Sequence, residues 1–372
     1  MGGRNYAETL IGEIKKNDRG LHWLIGADRE LIKELRDQRP QPHLRWITFP
    51  NWSASSIGRL VFEQLGLPAI IRHRKPEVVY FSGNFSSMLS RTRTVLAVRS
   101  LLEYKKPQQL NFFRRAVRKI LVRWAVKNAD EIVCPSDHLS EELRNLFDLA
   151  AERITTVPHG VNPAYRPGAE DESILDKLDI RGRSFFVYPA SLRAYKNHLT
   201  LVEAARHLTG SARDSAIVFA GRGTAVDSVY EQRLRDAIQE LDAPARIIMS
   251  GELDPPELCA LYLNAVALVF PSTCESFGNP VVESMAMSCP IIASHSDALP
   301  EVVGEGGILV EPFDAQAWAG EMSRLVNDPA YREEWSARAF ERKGWYAAGR
   351  SVDELASVLM KAVQDEVNVA GV

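Results

Sequence analysis

An α/β fold built from two doubly wound series of parallel strands is what this sequence predicts, on three observations. Short apolar runs alternate with amphipathic stretches along the chain, the pattern of βα units feeding a parallel sheet. At 372 residues the chain is long enough for two or three domains, each with a sizeable core. Its near-neutral total hides an asymmetry: residues 1–160 carry 26 Lys and Arg against 17 Asp and Glu, and the remainder 19 against 31. Halves of opposite sign suit two domains facing different partners.

In the first half the expected strands are 22–27, 45–49, 78–82, 95–98, 132–135 and 154–157, with helical patterns at 6–16, 57–72 and 112–128. The stretch NPAYRPG at 162–168, followed by polar and acidic residues, reads as a linker. Domains are accordingly expected at 1–165 and 184–345, with a linker at 166–183 and a closing helical segment at 346–372. The second series has strands at 185–188, 217–220, 246–250, 266–270 and 290–293, and helical patterns at 331–342 and 352–363. Cys134, Cys259, Cys274 and Cys289 lie in or beside apolar stretches without C-x-x-C spacing, which predicts buried, reduced thiols. No secretory signal or run of about 18 apolar residues is visible, so a cytoplasmic location is the default expectation.

The most informative segment is ESFGNPVVE, in which Glu275 and Glu283 bracket Ser276, Phe277, Gly278, Asn279 and Pro280. The apolar run 266–270 before it reads as a buried strand entering a loop. Asn279 suits an N-cap and Pro280 the first helical position, so a helix is expected to start there and carry Glu283 on its early turns. Both carboxylates then sit at the carboxyl end of a strand, where open α/β sheets bind ligands. Carboxylates accept hydrogen bonds from hydroxyls, which suits a polyol such as a sugar or ribose. A helix start also favours glutamate through its dipole alone, so spacing by itself leaves both readings open.

The surrounding text adds to this. PSTCESFGNPVVESMAMSCPIIAS and LPEVVGEGGILVEPFD, together with VPHGVN at 157–162, the stretch 190–198, FAG at 219–221 and the stretch 250–262, resemble the family 4 glycosyltransferases in content and order. The resemblance implies a GT-B fold: two Rossmann-like domains facing each other across a cleft, with a C-terminal helix crossing back to the first. It implies a retaining transfer of a sugar from a UDP- or GDP-sugar donor to a glycan or lipid-linked acceptor in polysaccharide or cell-envelope glycan synthesis. No other cofactor and no metal are implied: no D-x-D stands at a strand end and no His/Cys cluster is present.

Carried over residue by residue, the resemblance makes Lys196 a ligand of the donor diphosphate. Arg193 is a displaced second cation, because the family arginine often stands at the position of Ser191. Glu275 would hold donor-sugar hydroxyls and Glu283 the ribose. Ser276 and the backbone N–H groups of Phe277, Gly278 and Asn279 would contact sugar or phosphate, and the loop 248–253, with Met249 and Gly251, would lodge the base. Gly2 and Gly3 would complete the diphosphate clamp from the first domain. In the family a strand precedes that glycine turn, so a central strand is expected upstream of residue 1, or lost by truncation. Where many relatives have a histidine near the acceptor this chain has Arg99, so no histidine base is assigned; His73 and His159 suit surface and positioning roles. Ser288 stands where the family often has glycine, at a helix end that needs a left-handed residue.

The stretch 105–127 holds eight basic residues and no acid, interleaved with Phe112, Phe113, Leu121 and Trp124. It reads either as a helix lying on an anionic membrane surface, with the protein peripheral on the inner face, or as a core helix with a solvated basic face. No motif supports nucleic acid as its partner. Two rivals remain open: a sugar-nucleotide epimerase, against which the missing His and acidic base candidates count, and a catalytically silent GT-B module partnering an active transferase.

Overall fold

The structure is a computed structural model that describes residues 2–16, 19–35, 42–51, 56–106, 112–223 and 227–369. The chain divides into two compact units, Met1–Gly160 with Ala348–Val372, and Val161–Ala347.

The first unit contains strands β1 (Trp23–Ala27), β2 (Leu44–Thr48), β3 (Val78–Phe81), β4 (Arg93–Ala97), β5 (Glu131–Cys134) and β6 (Ile154–Thr156). They form two parallel ladders, β1–β2 and β3–β4–β5–β6; among the described residues β1 pairs only with β2, and β3 only with β4. The helix Ala348–Val369 covers both ladders. Its Leu355, Val358, Leu359 and Ala362 pack on Val95, Ala97, Val133 and Val157, with Trp23, Val78 and Tyr80 at the margin. Its Val352 joins Ile14 and Leu44 beside Trp23, Ile25 and Trp46. This is the amphipathic solution for a long helix: one apolar stripe buried, charges outward.

The second unit carries one six-stranded parallel sheet, from β7 (Phe185–Tyr188), β8 (Ala216–Phe219), β9 (Arg246–Met249), β10 (Ala267–Phe270), β11 (Ile291–Ser294) and β12 (Ile308–Val310). Its order is β12-β11-β10-β7-β8-β9. Strands β7, β8, β10 and β11 are buried at every position, which is why they read as continuous apolar runs rather than as alternating ones: helices cover both faces. The strand β12 is absent from the expected set, because three residues between Gly307 and Glu311 carry too little pattern to register. The stretch 166–183, expected as a linker, belongs to this unit. It contains the helix Ser173–Lys177, whose Ile174 and Leu175 lie in the unit's core. Its polar surface obscured those two anchors.

Two further local expectations are decided here. Ser288 does take the left-handed conformation, at φ 56°. The basic helix Phe112–Asn128 is less one-sided than its composition suggests. Arg118 lies 3.5 Å from the buried carboxylate of Glu103 and over the Phe85 ring, and ahead of the helix Lys105, at the end of the short helix Leu102–Lys105, pairs with Glu142 at 2.7 Å. Ile120, Arg123 and Lys127 remain exposed on one helical face, while the side chains of Phe112, Phe113 and Arg114 lie outside the described residues. All four cysteines are buried free thiols. No helix among the described residues is long and apolar enough to cross a membrane.

Candidate active site

Strand order fixes the site. The neighbours of β7 are β8 on one side and β10 on the other, so the chain leaves β7 and β10 side by side at a topological switch point. Loops leaving adjacent carboxyl ends there form the crevice in which doubly wound sheets take ligands. Lys196 lies on the loop after β7 and Glu275 on the loop after β10, 79 residues apart. The Lys196 ammonium donates to Glu275 Oε1 in an ion pair whose side chains are 14% and 13% exposed. Burial works against the Lys196 charge, but Glu275, then Tyr195, outweigh it and hold Lys196 above its ordinary value.

Both loops are braced. After β7 the chain makes a 3-10 turn, Ala194–Lys196, and Asn197 enters the left-handed region at φ 56° before the helix His198–Arg206. The Asn197 amide donates to the carbonyls of Pro271 (3.2 Å) and Pro312 (2.6 Å), tying together the loops after β7, β10 and β12. Asparagine tolerates this backbone region better than most residues and still offers two donors. Tyr188 donates to the Lys196 carbonyl at 2.6 Å, and Thr273 donates through both its backbone N–H and its hydroxyl to the Tyr195 carbonyl. The backbone N–H of Glu275 donates to Asp297 Oδ2 at 3.1 Å.

The expected helix follows, Asn279–Ala286, with Pro280 in its first turn, but Asn279 is not the cap. Gly278 holds that place at φ 93°, ψ 61°, and no side-chain cap bond is made. A Cβ there would stand 2.8 Å from Leu299 Cδ2, so both backbone angle and space require glycine. No side chain caps this end: Pro280 carries no N–H and the Val281 N–H donates to the Gly278 carbonyl at 2.9 Å, so what the helix start lends the site is the favourable potential of its positive end. Phe277 lies in the core with its ring edge-on to Tyr346 at 5.5 Å, which leaves its backbone as its contribution. Ser276 and Asn279 are half-buried.

Glu283 sits on the second turn of that helix, 6% exposed. Tyr262, from the helix Pro255–Asn264, donates its hydroxyl to Glu283 Oε2 at 3.2 Å. Burial, followed by the Glu283 charge, pushes the Tyr262 phenol well above its ordinary value, so it stays a donor. Reasoning from sequence missed this partner: Tyr262 falls on an apolar helical stripe where a tyrosine reads as core. His198 is the other missed residue. It is fully buried between the rings of Tyr188 and Phe219, and burial, then the Lys196 charge, drives it down to about 3, so it stays neutral and brings no charge beside Lys196.

The remaining expected residues fall into separate places. Arg193 does not join Lys196 and Glu275; its Nε lies 3.7 Å from Asp227 Oδ2, whose side chain is buried. The loop bend that carries Arg193 is set by the close approach of Gly221, where a Cβ would meet the Ala190 carbonyl at 1.9 Å. Met249 ends β9 with its side chain against the core, and Gly251 follows at φ 79° with open space around it. In the first unit Gly2 and Gly3 lie inside the first turn of the helix Gly2–Lys16 rather than in a turn ahead of it. Glycine's helical cost is smallest at an end, where neighbours still supply the ladder. His73 is exposed at the end of the helix Leu67–Arg74, and His159 is buried beside the Tyr6 ring.

Residues 170–342 match the family described as Glycosyl transferases group 1, and residues 2–165 match Glycosyltransferase Family 4. The O-antigen chain mannosyltransferase B of Escherichia coli is 26% identical over 239 residues, covering 63% of this chain and 60% of that protein. The D-inositol 3-phosphate glycosyltransferase of Corynebacterium glutamicum (strain R) is 26% identical over 262 residues, covering 68% and 62%. The chain thus spans about 60% of the length of the curated relatives it matches. Among solved structures, Anabaena HepE in complex with UDP aligns over 97% of this chain and 96% of its own, with a TM-score of 0.73 at 17% identity. WaaG, a glycosyltransferase involved in lipopolysaccharide biosynthesis, aligns over 96% and 95% with a TM-score of 0.67 at 13% identity. At these identities the likeness shows the fold, which is GT-B.

Proposed function

Because the chain belongs to the family 4 glycosyltransferases, we propose that it transfers a sugar, with retention, from a nucleoside diphosphate sugar to a glycan or lipid-linked acceptor. The observation that carries this is the meeting of Lys196 and Glu275 at the switch point, immediately ahead of the helix that bears Glu283. Lys196 and the positive end of the helix Asn279–Ala286 are suited to a diphosphate. Glu275 accepts from hydroxyls of the transferred sugar, and Glu283, held by Tyr262, from ribose hydroxyls.

The course proposed for the reaction is a same-face displacement. The acceptor oxygen attacks the anomeric carbon on the face from which the diphosphate leaves, so the configuration is kept. The anomeric C–O bond to phosphate breaks, and a phosphate oxygen takes the acceptor's proton. Negative charge growing on the diphosphate is stabilised by Lys196 and the positive end of the helix, positioned before reaction. Cationic help from side chain and backbone supports a metal-independent step. HepE was solved with UDP and with UDP-glucose, which supports a nucleoside diphosphate sugar donor, and the Escherichia coli relative is named an O-antigen chain mannosyltransferase, which supports a role in cell-envelope glycan synthesis. The exposed face of Ile120, Arg123 and Lys127 supports peripheral contact with an anionic membrane from the cytoplasmic side.

Nucleotide release from a panel of UDP- and GDP-sugars, with and without a lipid or glycan acceptor extract, tests the reading. Acceptor-stimulated release from one donor is expected. Binding without turnover of any donor would favour a silent module, and interconversion of donor epimers without transfer would favour an epimerase.

A further inference from the structure

Beside the Lys196–Glu275 pair stands Tyr195, the middle residue of the 3-10 turn Ala194–Lys196, to which no part in the donor site has yet been given. Its backbone is fixed. Its carbonyl accepts from the Thr273 N–H at 2.8 Å, the Thr273 hydroxyl at 3.1 Å and the Ser272 hydroxyl at 3.3 Å, all from the loop after β10. The side chain is half-buried, and the Lys196 ammonium lies 5.4 Å from the centroid of its ring. The same ammonium is 5.4 Å from the Phe270 centroid and donates to Glu275. Arg193, two residues earlier, keeps its Nε 3.7 Å from Asp227 Oδ2 and offers a hydrogen bond to the Tyr195 phenol oxygen.

The neighbours of the phenol decide what it can do. A phenol has one proton to give and lone pairs with which to receive. Arg193 and Lys196 carry donors and no acceptor, so neither takes that proton. Glu275 acts on the phenol as a charge, and no described residue accepts a hydrogen bond from it. Burial raises Tyr195 above the ordinary phenol value, and the cations, Lys196 first, offset this only in part, so the group stays protonated at neutral pH. A hydroxyl that receives from one cation, lies beside another and still has its proton to give is matched by an anionic oxygen.

We propose that the Tyr195 hydroxyl donates to a phosphate oxygen of the sugar nucleotide, and that Arg193 serves the donor through this phenol and not by direct contact. The proposal rests on the donor reading of the Lys196–Glu275 site and adds a ligand to it. Arg193 is then a positioning residue. Held by Asp227, its guanidinium draws on the phenol oxygen, and a hydroxyl polarised in this way donates more strongly through its own proton. With Arg193 turned toward Asp227, Lys196 and the Tyr195 phenol are neighbouring side-chain donors for a diphosphate, one charged and one neutral.

The test is calorimetric titration of the whole chain with UDP and GDP, and with uridine and guanosine as probes that carry no phosphate. Tyr195→Phe keeps the ring beside Lys196 and so reads the hydroxyl alone. It should weaken diphosphate binding by about 10-fold, the loss of one hydrogen bond to a charged group, and leave nucleoside affinity unchanged. Arg193→Gln should weaken the diphosphate several-fold in wild type and cost nothing further in the Tyr195→Phe background, with Arg193→Lys restoring part of the loss. Circular dichroism checks that each variant folds. Equal diphosphate affinity in wild type and Tyr195→Phe overturns the proposal, as does an equal loss for diphosphate and nucleoside, which would make the phenol structural. An Arg193→Gln loss that persists undiminished in the Tyr195→Phe background overturns the indirect role of Arg193. Absence of diphosphate binding in wild type overturns the proposal together with the donor site. Tyr195-dependent diphosphate binding in a chain that transfers no sugar keeps the proposal and rejects the transferase reading alone.

Discussion

Tyr262→Phe is the most discriminating substitution in the donor site, because it removes one hydroxyl and leaves the ring packing intact. The lost contact is the hydrogen bond to Glu283 Oε2 at 3.2 Å, between a residue 1% exposed and one 6% exposed. Hydrogen bonds to charged groups contribute roughly 1.5–3 kcal/mol, and a 3.2 Å O–H···O⁻ contact is long for its class. The lower end, about 1.5 kcal/mol, is therefore the appropriate figure, equivalent to roughly a tenfold change in an equilibrium constant. If Tyr262 orients Glu283 for ribose, that loss appears in nucleotide affinity, read by calorimetry with UDP and GDP. In a Glu283→Ala background the same change should cost almost nothing, giving a coupling of about 1–1.5 kcal/mol in the double-mutant cycle. Unchanged nucleotide affinity in Tyr262→Phe, or an equal loss with and without Glu283, would refute the orienting role and leave the tyrosine as core.

Four other outcomes follow from the geometry. Lys196→Ala and Glu283→Ala should each lower turnover by at least roughly 100-fold while circular dichroism stays native, the scale of losing a preorganised charge at a reacting centre; near-normal rates in either variant would sink the donor site. Ser288→Gly should stabilise the fold by about 1 kcal/mol, read as a rise in Tm, because φ 56° strains a residue with a Cβ. His198 titrates near 3 when folded against 6.5 in the open chain, so the unfolded state takes the proton first. Its contribution is complete above about pH 6.5 and is lost as pH falls toward 3, at up to ~1.4 kcal/mol per pH unit, and His198→Asn should flatten that part of the stability profile. Cosedimentation with anionic vesicles should fall when Arg123 and Lys127 are both changed to glutamate; no change would remove the membrane from the proposal.

The sequence made the buried strands of the second unit legible, because helices on both faces leave runs such as Phe185–Tyr188 apolar at each position. It also exposed the backbone demand at Ser288, since a helix end needs a left-handed residue whatever its side chain. What it hid is of two kinds. Long-range pairing is set by strand order: nothing local to Lys196 or Glu275 states that β10 lies beside β7. A side chain that works by a single polar atom was absorbed into an apolar pattern, as Tyr262 was. Asn197 was in view as part of a matching stretch, but its two carbonyl partners come from loops 74 and 115 residues away. The exchange of Asn279 for Gly278 at the helix start was hidden too, because the dipeptide Gly-Asn offers either residue for that position and the left-handed backbone at φ 93° and the nearby Leu299 decide it.

The two glutamates that organise the site are held differently, and the difference separates their tasks. Glu275 faces a cation, and without a substrate the Lys196–Glu275 pair neutralises itself in a place with little water. A diphosphate brought to Lys196 competes for the ammonium, and a nearly buried carboxylate left without its cation is costly unless hydroxyls replace it. A nucleoside diphosphate alone supplies the first change and not the second. The complete sugar nucleotide supplies both, because its sugar hydroxyls can take over at Glu275. Glu283 faces a neutral phenol, Tyr262, and has no such exchange to make; it can accept ribose hydroxyls while keeping its partner. Glu283 therefore suits recognition of the nucleotide, common to donor and product, whereas Glu275 suits discrimination of a donor that still carries its sugar from the diphosphate that remains after transfer.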